Sequence, residues 1–335
     1  MLDGCQLNAY LERIYRDGMC SVSDVVPSVG WLARLHGAHV RSVPYETVDM
    51  QLGRGVSLDS AALWAKVVAS RRGGFCFELN GSFALLLRGL GFDVTVVEAA
   101  VNRAEVGDSA WGNHMALVAR VDGVPYLVDV GLGNAFVEPL PLREGVVLQA
   151  GRAHHLEDVG GRVWRCRPDP AGTVRSFDVR PVPRRVVDFV ARCEELSTSP
   201  ESPFVGLMSV QSSDGGRHAR LRARTLTVVG ASGWESTRLI EDAAELANVL
   251  HGVFGLGAPS ISGSDVKVLW ERACAQHAAW CAGSGFVDHL DGATGADGRG
   301  DGSDEDSGEE APDRRDDGDG RDVSEVDTGT GRLDE

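Results

Sequence analysis

The sequence predicts a protein of the α+β class, and three observations support this prediction. Apolar residues recur at helical spacing within the first 91 residues, whereas they alternate in the manner of strands from residue 92 onward. The hairpin dipeptide Asp122-Gly123 separates two of the strand-like stretches. Helix-like stretches return later in the chain. This order of helices, antiparallel strands and a mixed end is typical of α+β folds and not of a doubly wound sheet.

The predicted elements follow from local patterns. An apolar stripe of Leu63, Trp64, Val67 and Val68 indicates a helix, and a glycine at 89 or 91 ends the next one. Helices are predicted over residues 29–39, 58–70, 75–90, 186–193, 240–254 and 265–281. Strands are predicted over residues 92–101, 114–121 and 124–130, with shorter β-like stretches around 163, 174 and 177.

Charge is concentrated at the end of the chain. The formal net charge is −16 over 335 residues. Residues 291–335 carry 17 acids and 5 arginines, a net of −12, which leaves about −4 for residues 1–290. This end has no Phe, Trp or Tyr, so we expect residues 288–335 to be a disordered acidic tail. The nearly neutral remainder gives no basic footprint for nucleic acid.

Cysteine usage and apolar runs indicate a cytoplasmic protein. The seven cysteines are odd in number and include no C-x-x-C pair, which argues against a disulfide framework or a zinc ribbon. Cys274, His277 and Cys281 share a helical face, but a packed helix explains them better than a metal site, and no metal is expected. The start has no signal-peptide core, and no run of 18 apolar residues predicts a membrane span.

Cys76 is a candidate nucleophile. It lies where the turn at Gly73 and Gly74 enters the predicted helix 75–90. Glycines allow a tight turn and a close approach of another molecule, and the free N–H groups of a helix start favour a thiolate and can lower the pKa of a cysteine. The same groups could hold a developing oxyanion. A buried structural cysteine fits this segment equally well when it is considered alone.

The predicted hairpin supplies partners for this cysteine. If its loop is Asp122-Gly123, paired positions sum to 245, and His114 and Asp129 become diagonal neighbours on one face. Asp129 also interrupts an apolar strand, where a carboxylate is costly unless it is paired. A thiol, an imidazole and an orienting carboxylate are the set that nucleophilic catalysis requires.

Several segments, in this order along the chain, resemble motifs of the arylamine N-acetyltransferase family. They are LH at 35–36 followed by VPYE at 43–46, RRGGFCFELNG at 71–81, NH at 113–114, VDVGLG at 128–133 and STSPESPF at 197–204. The resemblance covers about residues 10–254. Asn113 stands where the family often has threonine, and the acidic tail is not part of the family pattern.

The resemblance implies a fold and a mechanism. The fold would be a helical bundle over residues 1–91, an antiparallel β-barrel-like domain over 92–195 and an α/β lid over 196–287, with a triad architecture like that of cysteine proteases and transglutaminases. Cys76, His114 and Asp129 would be catalytic, and Gly74, Phe75 and Phe77 would contact substrate. No permanently bound cofactor is implied. An acyl group would pass from acetyl-CoA, through Cys76, to an arylamine or hydrazine.

Three alternatives share these residues. A subgroup of the family closes macrolactam rings of the ansamycin type, and its donor is a thioester on an acyl carrier protein. A cysteine hydrolase or transglutaminase-like enzyme would deliver the acyl group to water or to a protein amine. A binding protein on this scaffold would not need the intact set of thiol, imidazole and carboxylate. The physiological amine, the acyl chain and the oligomeric state are not determined by the sequence.

Overall fold

The computed structural model describes residues 1–15, 20–133, 136–168, 174–214, 216–230 and 233–283. The predicted acidic tail lies outside these residues. The helices are α1 Gly4–Ile14, α2 Val29–Ser42, α3 Val48–Gln51, α4 Ser60–Trp64, α5 Cys76–Gly89, α6 Arg103–Val106, α7 Val190–Thr198, α8 Pro203–Gly206, α9 Ala243–Gly252 and α10 Gly263–Cys281. The strands are β1 Tyr45–Glu46, β2 Asp93–Val101, β3 His114–Val121, β4 Val124–Val128, β5 Leu140–Pro141, β6 Gly145–Gln149, β7 Arg152–Asp158, β8 Trp164–Arg167, β9 Phe177–Arg184, β10 Ser209–Ser213, β11 His218–Arg222, β12 Thr225–Val229 and β13 Glu235–Leu239.

Most predicted helices are present, with ends displaced by a few residues. The helix predicted over 58–70 is α4, continued by a π-helical turn at Ala65–Ala69. The helix predicted over 186–193 begins with a short 3-10 turn and continues as α7. α1 was not predicted; Asp3 caps it by accepting a hydrogen bond from the N–H of Gln6 at 2.8 Å. No described helix is long and apolar enough to cross a membrane.

An eight-stranded antiparallel sheet forms a nearly closed, barrel-like structure. Its strand order is β5-β4-β3-β2-β9-β8-β7-β6. The predicted hairpin register is confirmed, since Val121 pairs with Val124 and Leu117 pairs with Val128. Asp122 and Gly123 both have positive φ, 50° and 80°, which is the two-residue turn that suits the strand twist. β4 ends at Val128, so Asp129 lies just beyond it.

A second sheet has the order β1-β10-β11-β12-β13 and packs one face against α9 and α10. Its edge strand β1 comes from the early, otherwise helical part of the chain. The largest hydrophobic core joins α1, α2 and α5 to residues of β2, β3 and β4. Another core, which includes Val97, Phe177 and Val179, fills the barrel-like sheet. α5 therefore packs directly on β3, the strand that begins with His114.

Asp178, on β9, holds two arginines at the barrel wall and should be a major determinant of stability. Its buried carboxylate accepts hydrogen bonds from Arg165 Nε at 2.7 Å and from Arg103 Nη1 at 2.7 Å. Burial acts to raise the pKa of Asp178, but these hydrogen bonds hold it below its ordinary value. We expect Asp178→Ala to lower the free energy of unfolding in urea by about 3 kcal/mol.

Exposed Asp108 also pairs with Arg103, so Asp108→Ala is the matched control and should have little effect. Because the folded-state pKa of Asp178 is lowered, its stabilisation is present above the ordinary aspartate pKa and is lost as the pH falls through the lowered one. Equal effects of the two substitutions on the urea midpoint would contradict the assignment.

Candidate active site

Cys76 is the first residue of α5, and the turn before it is built on glycine for steric reasons. A Cβ atom on Gly73 would lie 1.8 Å from the carbonyl oxygen of Pro44, and one on Gly74 would lie 2.6 Å from Glu78 Oε2. No other residue fits at Gly73 without moving the backbone. The turn therefore fixes the position at which α5 begins, and with it the position of Cys76.

His114 and Asp129 meet as the hairpin register predicts. His114 is the first residue of β3, and Asp129 directly follows β4. His114 Nε2 lies 2.6 Å from Asp129 Oδ2, and both side chains are buried. This contact leaves Nδ1 as the ring nitrogen available to another group.

Asn80 joins α5 to the hairpin, and the sequence analysis did not assign it a role. Its Nδ2 donates to Asp129 Oδ1 at 2.8 Å, and its Oδ1 accepts from the N–H of Val130 at 2.9 Å. It lies four residues after Cys76, one helical turn away on the same face. An amide at that spacing, one turn after the candidate nucleophile, is the signal that could have revealed it.

Backbone contacts complete the surroundings of Asp129. The N–H of Gly131 donates to Asp129 Oδ1 at 2.8 Å. A Cβ atom on Gly131 would lie 2.8 Å from Cys76 Cα, so this loop rests on the backbone of Cys76. His36 Nε2 lies 3.0 Å from the carbonyl oxygen of Asp129, and its Nδ1 lies 3.0 Å from that of Val137. Burial lowers the pKa of His36 to about 4, so His36 is neutral near pH 7.

The pKa of the Cys76 thiol is raised, whereas the sequence predicted that the helix start would lower it. Burial raises the pKa of Cys76 well above its ordinary value, and the Asp129 carboxylate raises it further. The N–H groups of Phe77 and Cys76 act to lower this pKa, as a helix start predicts, but burial outweighs them. A thiolate at neutral pH therefore needs a cation beside it.

Cys76 and His114 both line a cavity of about 240 Å³. Much of its wall is apolar, formed by Val101, Val106, Leu132, Val174, Leu196 and Phe204. Its polar lining includes Asn102, Ser109, Asn113, Arg192 and Gln211. An apolar cleft with a few polar groups and a reactive side chain is typical of a small-molecule site.

Gly74, Phe75 and Phe77, predicted to contact substrate, lie in the packing around Cys76. Phe75 and Phe77 are fully buried, with ring centroids 5.2 Å apart, and Phe75 also contacts Phe204 of the cavity wall at 5.8 Å. None of the three predicted residues is among the described residues that line the cavity. Their role in binding stays a prediction.

The helix with Cys274, His277 and Cys281 is α10. Cys281 Sγ lies 3.7 Å from His277 Nε2, and Cys281 is exposed. Across the residues described above, no three His, Cys, Asp or Glu side chains are grouped so that they could share a metal ion.

The structure combines a nearly closed, barrel-like sheet with a helical layer, and it brings the Cys76 thiol and the His114 imidazole to one cavity. The model of the N-acetyltransferase family matches residues 28–260, and the chain is an acyltransferase. It belongs to the arylamine N-acetyltransferase family, as its motifs suggested. It is 33% identical to the arylamine N-acetyltransferase of Mycolicibacterium smegmatis over 278 residues, which are 78% of this chain and 95% of the relative.

Solved structures of relatives share the fold. A structure of the Mycobacterium smegmatis enzyme has a TM-score of 0.72 and 30% identity, and the match covers 81% of this chain and 98% of that one. The Mycobacterium marinum arylamine N-acetyltransferase in complex with CoA has a TM-score of 0.71 and 27% identity, covering 80% and 99%.

The contact between Gly131 and Cys76 gives a prediction about positioning. We expect Gly131→Ala to lower turnover at least about tenfold, because the added methyl group meets Cys76 Cα and the Asn80 amide within 3 Å. The control is Gly55→Ala, since a Cβ atom there meets nothing within 4 Å. Steady-state rates with a saturating thioester donor measure the effect, and equal rates for the two variants would contradict it.

Proposed function

We propose that this chain transfers an acetyl group from acetyl-CoA to the nitrogen of an arylamine or hydrazine through an acyl-enzyme on Cys76. The observation that carries the proposal is the hydrogen bond of 2.6 Å between buried His114 and Asp129 at the cavity that Cys76 also lines. The three side chains have the roles of nucleophile, general base and orienting carboxylate, as in the triads of cysteine proteases and transglutaminases.

Activation of the thiol depends on His114. Since burial raises the pKa of Cys76, the thiol does not ionise by itself near pH 7. His114 takes the proton from Cys76 on Nδ1, because Nε2 is held by Asp129. The resulting imidazolium is stabilised by the Asp129 carboxylate and in turn stabilises the thiolate.

Acyl transfer then follows in two halves. The thiolate attacks the carbonyl carbon of the thioester, and backbone N–H groups at the start of α5 stabilise the oxyanion. The bond to the CoA sulfur breaks, and the CoA thiolate takes the proton from His114. The amine next attacks the acyl-enzyme, and His114 accepts the amine proton. The bond to Cys76 Sγ then breaks, and the sulfur takes that proton from His114, which gives the amide and the free thiol.

The donor and acceptor are supported by the relatives and the cavity. The Mycobacterium marinum relative is described in complex with CoA, and the names of the relatives give no support to a carrier protein. The cavity of about 240 Å³ suits an aromatic amine of one or two rings. In this proposal, residues 1–91 are the helical domain, 92–195 the barrel-like domain and 196–287 the lid, of which residues 284–287 lie outside the described residues.

The proposed mechanism predicts an acyl-enzyme on Cys76. We expect the protein mixed with acetyl-CoA to gain the mass of one acetyl group, and to lose it when an arylamine such as 4-aminobenzoate is added. Cys76→Ala should gain no mass and should keep the fold, because the substitution removes only one side-chain heavy atom, the sulfur of the proposed nucleophile. Intact mass spectrometry and near-UV circular dichroism measure the two effects.

One control variant and two possible outcomes separate the alternatives. Cys193→Ala removes another buried thiol from the same hydrophobic core and should still be acetylated. Loss of the acetyl group at the same rate without the amine would favour a hydrolase. The absence of acetyl-enzyme and product, together with turnover of a long seco-acid thioester that bears its own arylamine, would favour the macrolactam-forming amide synthase.

A second prediction concerns Asp129. An amide at this position holds the imidazole in the wrong tautomer, so Asp129→Asn should lower turnover by about 10³–10⁴-fold while the protein still folds. Rates of acetyl-CoA consumption and melting temperature together measure this. Turnover within threefold of the unmodified protein would mean that Asp129 is structural.

A further inference from the structure

Lys66 is one of only two lysines in the chain and lies next to the start of the nucleophile helix. It is on the π-helical turn Ala65–Ala69, an irregularity that is frequent at functional sites. Its Nζ lies 2.7 Å from Glu78 Oε1 and 2.7 Å from Asp49 Oδ2. The side chain of Lys66 is 16% exposed and that of Glu78 is 3% exposed, so the ion pair is largely shielded from water.

Glu78 connects Lys66 to the backbone that precedes Cys76. It is the third residue of α5, and its Oε2 accepts the N–H of Phe75 at 3.2 Å. Its carboxylate folds over Gly74, which has no side chain in the way. The carboxylate that Lys66 holds therefore fixes the two residues immediately before Cys76.

The charge of Glu78 depends on its lysine partner. Burial raises the pKa of Glu78, while Lys66 acts to lower it. Burial acts to lower the pKa of Lys66, but Glu78, Glu46 and Asp49 together raise it, so the lysine stays charged. Without Lys66, Glu78 is left as an unpaired negative charge, two residues from Cys76, at a pH high enough to ionise the thiol.

We propose that Lys66 is a positioning residue for Cys76, acting through the Glu78 carboxylate. The ion pair holds the Phe75–Cys76 backbone in place and keeps the negative charge of Glu78 balanced where the thiolate forms. The inference rests on the proposed nucleophilic role of Cys76.

Other charged groups around this pair are already engaged. Arg72 Nη2 lies 2.7 Å from Glu46 Oε1 and 3.1 Å from Asp49 Oδ1. Cys193, on α7, lies close enough to both Lys66 and Glu78 for their charges to act on its thiol. Arg54 Nη1 also lies 3.7 Å from Asp49 Oδ1. Glu46 and Asp49 therefore keep an arginine partner when Lys66 is lost, whereas Glu78 loses its ion pair.

The test uses five variants and follows alkylation of Cys76. They are Lys66→Met, Lys66→Arg, Glu78→Gln, the double variant Lys66→Met/Glu78→Gln, and Lys267→Met as the control, since Lys267 is the only other lysine and is exposed. The rate of iodoacetamide labelling of the Cys76 peptide is measured by mass spectrometry from pH 5 to 10, alongside kcat and KM for acetyl-CoA.

We expect Lys66→Met to lower the labelling rate at pH 7 on the order of tenfold and to move the pH midpoint upward, because an unbalanced carboxylate disfavours the thiolate. The fall in activity should appear in kcat more than in KM. The double variant should recover most of the labelling rate because it removes both charges, and Lys66→Arg should keep most of it. Lys267→Met should match the unmodified protein.

Two results would overturn the proposal. One is an unchanged pH midpoint for labelling of Cys76 in Lys66→Met, and the other is a labelling rate in the double variant as low as that in Lys66→Met. If Lys66→Met does not fold, the double variant provides the test. Its labelling should have the pH midpoint of the unmodified protein, and a displaced midpoint would overturn the proposal. Failure of the proposed function is separate. It would appear as no acetylation of Cys76 in the unmodified protein, whatever the labelling profiles of the variants.

Discussion

The arrangement of the site depends on the buried carboxylate of Asp129. Its two oxygens accept hydrogen bonds from the His114 imidazole, the Asn80 amide and the N–H of Gly131, so its charge is compensated although water cannot reach it. These donors come from three segments: β3, α5 and the loop after β4. A single carboxylate with all its hydrogen bonds made thereby joins α5 to the hairpin, and this stabilisation is lost if any one segment moves.

Close backbone packing provides the second constraint. The turn before Cys76 rests on Pro44 at Gly73, and the loop after Asp129 rests on Cys76 at Gly131. Both contacts leave no room for a side chain, so each places one backbone segment directly against another. The distance between two such segments varies less than a contact between flexible side chains. The buried charges of Lys66, Glu78 and Arg72 then fill the space around the first contact. Packing and charge thus hold one residue, Cys76, from two sides.

The sequence predicted the parts of this site that depend on local rules. The dipeptide Asp122-Gly123 determines its own turn, and the parity of the strands then brings His114 beside Asp129. It did not predict that β1 joins the later sheet or that Asn80 bridges α5 to the hairpin, because both depend on contacts between distant segments. The raised pKa of Cys76 was also missed, since a helix start is visible in a sequence but the depth of burial is not.

Burial of Cys76 opposes ionisation of its thiol, yet in the proposed mechanism the same burial favours transfer of the acyl group to an amine. A thiol that is ionised only while His114 carries its proton is a nucleophile when the imidazole is aligned, and is otherwise protected from oxidation and side reactions. The proposed acyl-enzyme would lie against an apolar wall that includes Leu132, Val174 and Phe204, where water finds few hydrogen-bonding partners and an aromatic amine packs well. Exclusion of water therefore raises the energy of the free thiolate but also lowers competition from hydrolysis. The proposed enzyme needs His114 and Asp129 to offset the first effect in order to benefit from the second.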